Sequence, residues 1–324
     1  MHTIKELSNL INDRIQAINI NKEPKELYDP IIYTLEGGGK RLRPVSMLLA
    51  CDTYGGKVED AVNPAMGIEI FHNFTLLHDD IMDQAPLRRG RETVYKKWDN
   101  NVAILSGDTM FAVAYDYIRQ TRNELVPEIM KIFCQTSIEV CEGQQYDMNF
   151  ETTENTTIPE YLNMIRLKTA VALAASMEIG ASIAGADRVE KETIYKFGEH
   201  LGMAFQLQDD LLDTFGDQEK FGKKIGGDIL ANKKTYIYLK ALELANNEQK
   251  DVLRNLYMSK SSDPEEKISK VKAIFRELNI PAQAENIIND YFSKAMECFN
   301  KLNVEPDKKM GLKEFAYMIL RRDM

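Results

Sequence analysis

The stretch Phe71-His72-Asn73-Phe74-Thr75-Leu76-Leu77-His78-Asp79-Asp80-Ile81-Met82-Asp83 closes an apolar run with three carboxylates, an unfavourable place for bare negative charge. On a helix Asp79, Asp80 and Asp83 lie within about 100° of one another, so the three charges share one face. Each like-charged pair costs roughly 0.2–0.5 kcal/mol in water and more beside an apolar wall, so a cation is expected among them. The arrangement returns as Phe205-Gln206-Leu207-Gln208-Asp209-Asp210-Leu211-Leu212-Asp213. One such cluster alone reads as a solvated acidic helix end, but the repetition argues for a site. Neither triad has a cysteine or histidine at ligand spacing, which suits a hard, oxygen-seeking ion. Mg²⁺ is such an ion, and it binds through one or two carboxylates plus substrate phosphates. Two facing triads imply an anionic substrate bridged to the protein by metal.

The chain has 324 residues, 44% of them hydrophobic, enough for one large core, and two triads that must meet favour a single domain over 1–324. A net charge of -9 leaves no basic face for a nucleic-acid backbone. The cysteines Cys51, Cys134, Cys141 and Cys298 form no C-x-x-C pair. Cys134 and Cys141 are expected as neighbours on one buried helix face, and all four as reduced thiols in a cytoplasmic protein. Charged residues among the spaced Ile and Leu of the N-terminus indicate an amphipathic helix and no secretion signal. The nearly uncharged run Thr169 to Ala186 contains Glu178 and many small residues, and is expected to be a packed core helix, so no membrane span is expected.

Apolar spacing predicts a helix from Ile4 to Ile18, then a short one after Pro24 and Pro30 ending at Gly37-Gly38-Gly39. The next opens at Pro44 and runs to about Tyr54, and a longer one from about Glu59 to Met82 delivers the first triad. Asp83 to Trp98, with Pro86, Gly90 and its basic side chains, reads as a loop. Further helices are predicted over about 100–121, 125–148, 159–185, 188–215, 229–258, 264–279, 281–302 and 307–321, and no strand. Thr152 to Thr157 reads as a polar connection. Phe215 to Asp228 is a Gly- and Lys-rich loop, so each triad ends a helix and precedes a basic loop.

From about Gly38 to the C-terminus the chain resembles the trans-type isoprenyl diphosphate synthases, the polyprenyl synthetase family. The resemblance is carried by Gly38-Gly39-Lys40-Arg41-Leu42-Arg43-Pro44, by the first triad with its trailing Arg88-Arg89-Gly90, and by Glu142-Gly143-Gln144 and Lys168-Thr169. The second triad followed by Gly222-Lys223 and Lys233 completes it. It implies an all-α isoprenoid synthase fold of ten or more helices around a deep central cavity, usually a homodimer. It also implies a prenyltransferase that couples an allylic diphosphate to isopentenyl diphosphate.

By the same resemblance, Asp79, Asp80 and Asp83, with Asp209, Asp210 and Asp213, hold three Mg²⁺ around the allylic diphosphate, which Arg88, Lys168, Lys223 and Lys233 grip. Thr169, beside Lys168, counts among the catalytic residues, Gln206 stands beside the cation, and Phe205 either covers the homoallylic substrate or is core. Isopentenyl diphosphate falls to Lys40, Arg43, His72 and Arg89, with Gly37 to Gly39 admitting backbone N–H groups to phosphate oxygens. A nucleotide P-loop at Lys40 fails, since Arg41 follows and Thr34 stands where the first glycine should be. His78 reads as a packing residue, not a base. The C-terminal Arg321 and Arg322 have no role readable from sequence.

Family product length follows bulk upstream of the first triad. Phe74 stands five residues before Asp79, Thr75 four before, and nothing interrupts Asp80 to Asp83. The pattern resembles geranylgeranyl-type synthases, with the farnesyl type as runner-up. A bare helical wheel instead favours Thr75 or Phe71 as the floor, at about 40° and 80° from Asp79 against about 140° for Phe74. Of the alternatives, a class I terpene cyclase has no use for the second diphosphate site. An HD-type phosphohydrolase needs better-placed histidines, and a non-catalytic synthase subunit would have lost a triad.

Overall fold

The computed structural model describes residues 2–20, 22–153, 155–216, 226–258 and 263–320. It forms two compact units: Met1–Gln135 with Ala175–Glu192 and Asn303–Phe315, and Thr136–Ala174 with Thr193–Leu302 and Ala316–Met324.

In the first unit α1 (Ile4–Gln16) opens at a capping box, where Thr3 Oγ1 accepts from the Glu6 amide at 3.2 Å and Glu6 Oε2 from the Thr3 amide at 2.7 Å. It buries Leu7, Ile11 and Ile15, the expected stripe. Helix α2 (Lys25–Leu35) begins directly after Pro24 and carries Pro30 inside it, earlier than the sequence suggested. After α3 (Leu42–Thr53), the long α4 (Val58–Met82) is buried along most of its length against α3 and α6 (Asn100–Ile118). This buried helix brings the first triad to the α4 C-terminus. Phe71 anchors it, with its ring 5.3 Å from Phe133 and 5.8 Å from Phe111.

Between α4 and α6 the expected loop contains a two-residue antiparallel ladder, β1 (Leu87–Arg88) with β2 (Arg91–Glu92), and the single turn α5 (Val94–Lys97). The sequence reading had no strand there. The turn places Arg89 and Gly90 at φ 52° and 75°, the pair of positive angles that a tight hairpin requires, and two residues are too few for an alternating pattern.

Helix α7 (Val126–Thr152) and α8 (Ile158–Ile165) flank the polar connection, and Thr157 with Glu160 forms a second capping box. The predicted helix over 159–185 widens into a π-turn at Arg166–Ala170 before α9 (Val171–Ala184). By length and composition Ile158–Ala184 could cross a membrane, but 78% of its most apolar window is buried within the protein. Helix α10 (Arg188–Phe215) carries the second triad. In the second unit Tyr161, Leu207, Leu211, Ile229, Tyr236 and Phe275 share one apolar core.

The single helix expected over 229–258 is three: α11 (Gly227–Leu230), α12 (Tyr236–Leu244) and α13 (Asn247–Met258). Asn232 at φ 57° ends the first. Ala245 turns extended at ψ 147°, and Asn246 with Gln249 exchange side-chain bonds of 3.1 and 2.9 Å with each other's amides, which starts the third. Helices α14 (Pro264–Glu277), α15 (Ile280–Lys301) and α16 (Met310–Leu320) follow, close to the expected bounds. Cys134 and Cys141 do not share a buried face: Cys134 is half-buried and Cys141 exposed, because α7 turns Phe133, Ser137 and Val140 inward instead. All four cysteines are free thiols.

Glu178 on α9 has its carboxyl pushed up to about 7 by burial, with Glu128 adding to the effect and Lys191 opposing it. The ionised form is the disfavoured one, so the folded chain loses stability as pH rises from 4.5 through about 7. Glu178→Gln should leave stability nearly unchanged near pH 4.5 and raise it by about 1–2 kcal/mol at pH 8, allowing for solvent screening of this partly exposed group, read as the pH dependence of denaturant midpoints.

Candidate active site

In the first unit two positions on α4 each receive a cation from another element, Arg88 from β1 and Arg43 from α3. Near the α4 C-terminus Asp80 is 5% exposed and takes Arg88 Nε on Oδ1 at 2.6 Å. Burial pushes the Asp80 carboxyl up to about 6; Arg88 opposes this, and Asp79 and Asp83 add to it. Asp79 is half-buried and Asp83 exposed. The triad therefore does not present three equal charges to solvent: the middle one turns inward and is neutralised by the arginine of the hairpin.

Two turns earlier His72 accepts from Arg43 Nη1 at 3.2 Å. Burial, then the positive charges of Arg43, Arg89, Arg88 and Arg41, hold the imidazole well below its ordinary range. It is neutral, and because guanidinium only donates, Nε2 is the acceptor and Nδ1 carries the proton. Lys40 stands exposed at the end of the glycine run. Arg89 Nη1 donates to the Gly38 carbonyl, and a Cβ on Gly39 would come within 2.9 Å of Arg89 Nη2. Gly39 at φ 144° thus makes room for the guanidinium. Arg88, Arg89 and Arg91 line an open cleft with Thr34, Gly37 and Asp80. His78 packs edge-on to Phe74 and bonds through Nε2 to the Ile104 carbonyl at 3.1 Å, as a packing residue would.

Upstream of the triad, Phe71 is 2% exposed, whereas Phe74 and Thr75 are half-buried. The Phe74 ring stacks on Phe111 of α6 at 5.1 Å, and Thr75 Oγ1 donates to the His72 carbonyl at 2.8 Å. Phe71 belongs to the core and Phe74 to its edge.

The second unit repeats the pattern with different partners. Asp210 is 3% exposed; Tyr161 OH donates to its Oδ2 and Gln206 Nε2 to its Oδ1 at 3.1 Å, while Thr169 Oγ1 donates to Gln206 Oε1 at 3.1 Å. Burial pushes the Asp210 carboxyl up to about 7, with those bonds opposing and Asp209 and Asp213 adding. Asp213 Oδ2 accepts the Asp228 amide at 2.8 Å, and Asp228 is itself raised well above the carboxylate range by burial and by Asp213 and Asp210. Lys168 Nζ reaches Asp147 Oδ2 at 2.6 Å and Lys233 Nζ the same oxygen at 3.4 Å. Burial would raise the Asp147 carboxyl, but the two ammonium groups outweigh it and hold Asp147 low. Phe205 is half-buried on α10. Lys223, Arg321 and Arg322 lie outside the described residues.

The donor set in each unit fits a hard divalent cation: crowded carboxylates, two of them with raised pKa, which added positive charge would relieve. Among the described residues no three such side chains converge at ligating distance.

The polyprenyl synthetase family model matches residues 24–277. The chain belongs to that family. It is similar to the geranylgeranyl diphosphate synthase of Methanosarcina mazei, 35% identical over 98% of this chain and 97% of the relative. The geranylfarnesyl diphosphate synthase of Natronomonas pharaonis is 37% identical over 74% of this chain and 75% of its own. A crystal structure of a geranylgeranyl pyrophosphate synthase superimposes with a TM-score of 0.94 at 44% identity, covering 99% of both chains. The all-α isoprenoid synthase fold and prenyltransferase class expected from sequence therefore hold.

Sequence reading of this polyprenyl synthetase missed Asp147 and Tyr161. Asp147 follows Gln144 by three residues, within reach of the Glu142-Gly143-Gln144 signal, whereas Tyr161 carries no local mark. Gly143 is explained by close approach: a Cβ there would lie 2.3 Å from the Lys168 amide nitrogen. Gly143→Ala should push the π-turn away from α7, breaking the Lys168–Asp147 contact. We expect a loss of about 1–3 kcal/mol in unfolding free energy, with a raised KM for the substrate bound by Lys168.

Proposed function

We propose that this synthetase condenses an allylic diphosphate with isopentenyl diphosphate, head to tail, to give geranylgeranyl diphosphate. One observation carries the reading. A single helix holds two separate cation groups, Arg88 on Asp80 and Arg43 on His72, and eight residues put them about 12 Å apart along the axis, room for two diphosphates. The printed names of the relatives support the product.

Arg88, Lys168, Lys223 and Lys233 hold the allylic diphosphate, and Lys40, Arg43, Arg89 and neutral His72 hold isopentenyl diphosphate. Arginine forks grip phosphate oxygens bidentately and lysine acts as a point charge. The carboxylates Asp79, Asp80 and Asp83, and Asp209, Asp210 and Asp213, are proposed to hold three Mg²⁺, which when bound supply Lewis-acid neutralisation of the leaving group. The cations of the chain keep the departing diphosphate in place as the allylic C–O bond breaks with its electron pair. The isopentenyl double bond then attacks the allylic carbon. A proton leaves the adjacent carbon for the released diphosphate, so no side-chain nucleophile is needed. Thr169 orients Gln206, whose amide faces the same region as Asp210.

We take residues 1–324 to act as one catalytic domain. A cytoplasmic homodimer is the proposed state, supported by the free thiols and by exposed Ile104 and Leu105 on α6, 45% and 59% accessible.

Release of diphosphate from dimethylallyl and isopentenyl diphosphates by the purified chain should require Mg²⁺ and stop with EDTA. No release with Mg²⁺ present would overturn the reading. Lys40→Ala and Arg43→Ala should raise KM for isopentenyl diphosphate, and Lys168→Ala that for the allylic substrate, each by about 10- to 100-fold, as expected for a charge-assisted bond of roughly 1.5–3 kcal/mol. The floor of the product cavity is proposed at Phe74, backed by Phe111, with Thr75 beside it and Phe71 deeper. Phe74→Ala should lengthen the main product by at least one five-carbon unit, Thr75→Phe should shorten it, and Phe71→Ala should act only once Phe74 is gone. Mass analysis of products decides between this order and a floor one turn deeper.

A further inference from the structure

Arg41 sits between exposed Lys40 and half-buried Arg43, yet it is itself 4% exposed. Its guanidinium donates through Nη1 to Glu69 Oε1 at 2.5 Å, through Nε to Asn12 Oδ1 at 3.1 Å, and through Nη2 to the Leu35 carbonyl at 3.2 Å. Glu69, 2% exposed on α4, is held in turn by Asn73 Nδ2, at 3.0 Å to Oε1 and 2.8 Å to the Glu69 carbonyl. Glu69 lies one turn before His72 and Asn73 on α4, so the Lys40–Arg43 segment is tied to that helix twice, by Arg41 on Glu69 and by Arg43 on His72. Arg41 itself is left-handed at φ 50°, a conformation that a bulky side chain avoids unless the surroundings impose it.

A buried ion pair is a weak source of stability, because apolar residues of the same volume serve as well; what the guanidinium fork supplies is direction. We propose that Arg41, Glu69, Asn73 and Asn12 form a positioning network, which touches no substrate but fixes the backbone at Arg41 so that Lys40 and Arg43 are aimed at the isopentenyl diphosphate. The proposal rests on the assignment of that substrate to Lys40 and Arg43 made above.

The test is steady-state kinetics on the full chain with each diphosphate varied in turn, alongside denaturation midpoints. Arg41→Lys and Glu69→Gln should raise KM for isopentenyl diphosphate about tenfold, leaving kcat and the allylic KM within about threefold. The double variant Arg41→Met/Glu69→Leu, with no stranded charge, should recover the denaturation midpoint and still show the raised isopentenyl KM. Asn12→Ala removes only the Nε contact at a half-buried position and should raise that KM about threefold. A double variant or an Asn12→Ala enzyme with unaltered isopentenyl KM would overturn the proposal, as would losses spread evenly over both substrates. Lys40→Ala, measured in parallel, separates the two failures. If it too leaves the isopentenyl KM unchanged, the substrate assignment falls. If it raises that KM while the network variants do not, only the positioning role falls.

Discussion

Like charge at the end of a buried helix is the constraint to which both sites answer. Helices α4 and α10 are held by apolar packing along most of their length, and each ends in three carboxylates that repel one another. The molecule resolves the conflict the same way twice. The middle carboxylate turns inward and receives donors, Arg88 at Asp80, Tyr161 and Gln206 at Asp210, while its two neighbours remain nearer solvent. Burial first, and the neighbouring carboxylates after it, still push Asp80 up to about 6 and Asp210 up to about 7. A site built this way is poised to gain from added positive charge.

The same economy of charge organises the cations. Several basic side chains of the site lean on partners within the chain. Lys168 and Lys233 share one oxygen of Asp147, Arg89 leans on the Gly38 carbonyl, and Arg43 on a neutral imidazole. These partners are weaker or fewer than the oxygens a diphosphate offers, so substrate can take over the donors without the side chains having to be found and ordered first. The backbone contributes through glycines at the points of closest approach, Gly39 beside the Arg89 guanidinium and Gly143 beside the Lys168 amide.

Several elements were legible because their signals are local. The stripe of Leu7, Ile11 and Ile15 and the glycines after α2 are each decided within a few residues. The breaks between α11, α12 and α13 were not legible, because Lys233-Lys234-Thr235 and Asn246-Asn247 suit a helix surface as well as a cap until a packed partner selects between them. The hairpin at Leu87–Glu92 was missed for a related reason: its two-residue strands are fixed by a turn, not by a pattern.

The sequence by itself determined the all-α class, the repeated aspartate triads and the order of basic residues around them, since helical period and spacing are properties of neighbours along the chain. It could place Asp79, Asp80 and Asp83 on one face but could not rank them. Tertiary structure decided that Asp80 and Asp210 are the buried members, that Asp147 and Tyr161 join the site, and that Arg41 serves α4 instead of the cleft. Those outcomes depend on which residues, 20 or more positions away in sequence, come within hydrogen-bonding distance, as Asp147 and Lys168 or Arg41 and Glu69 do. No local rule encodes such meetings, because burial and the partners it demands arise only when helices pack.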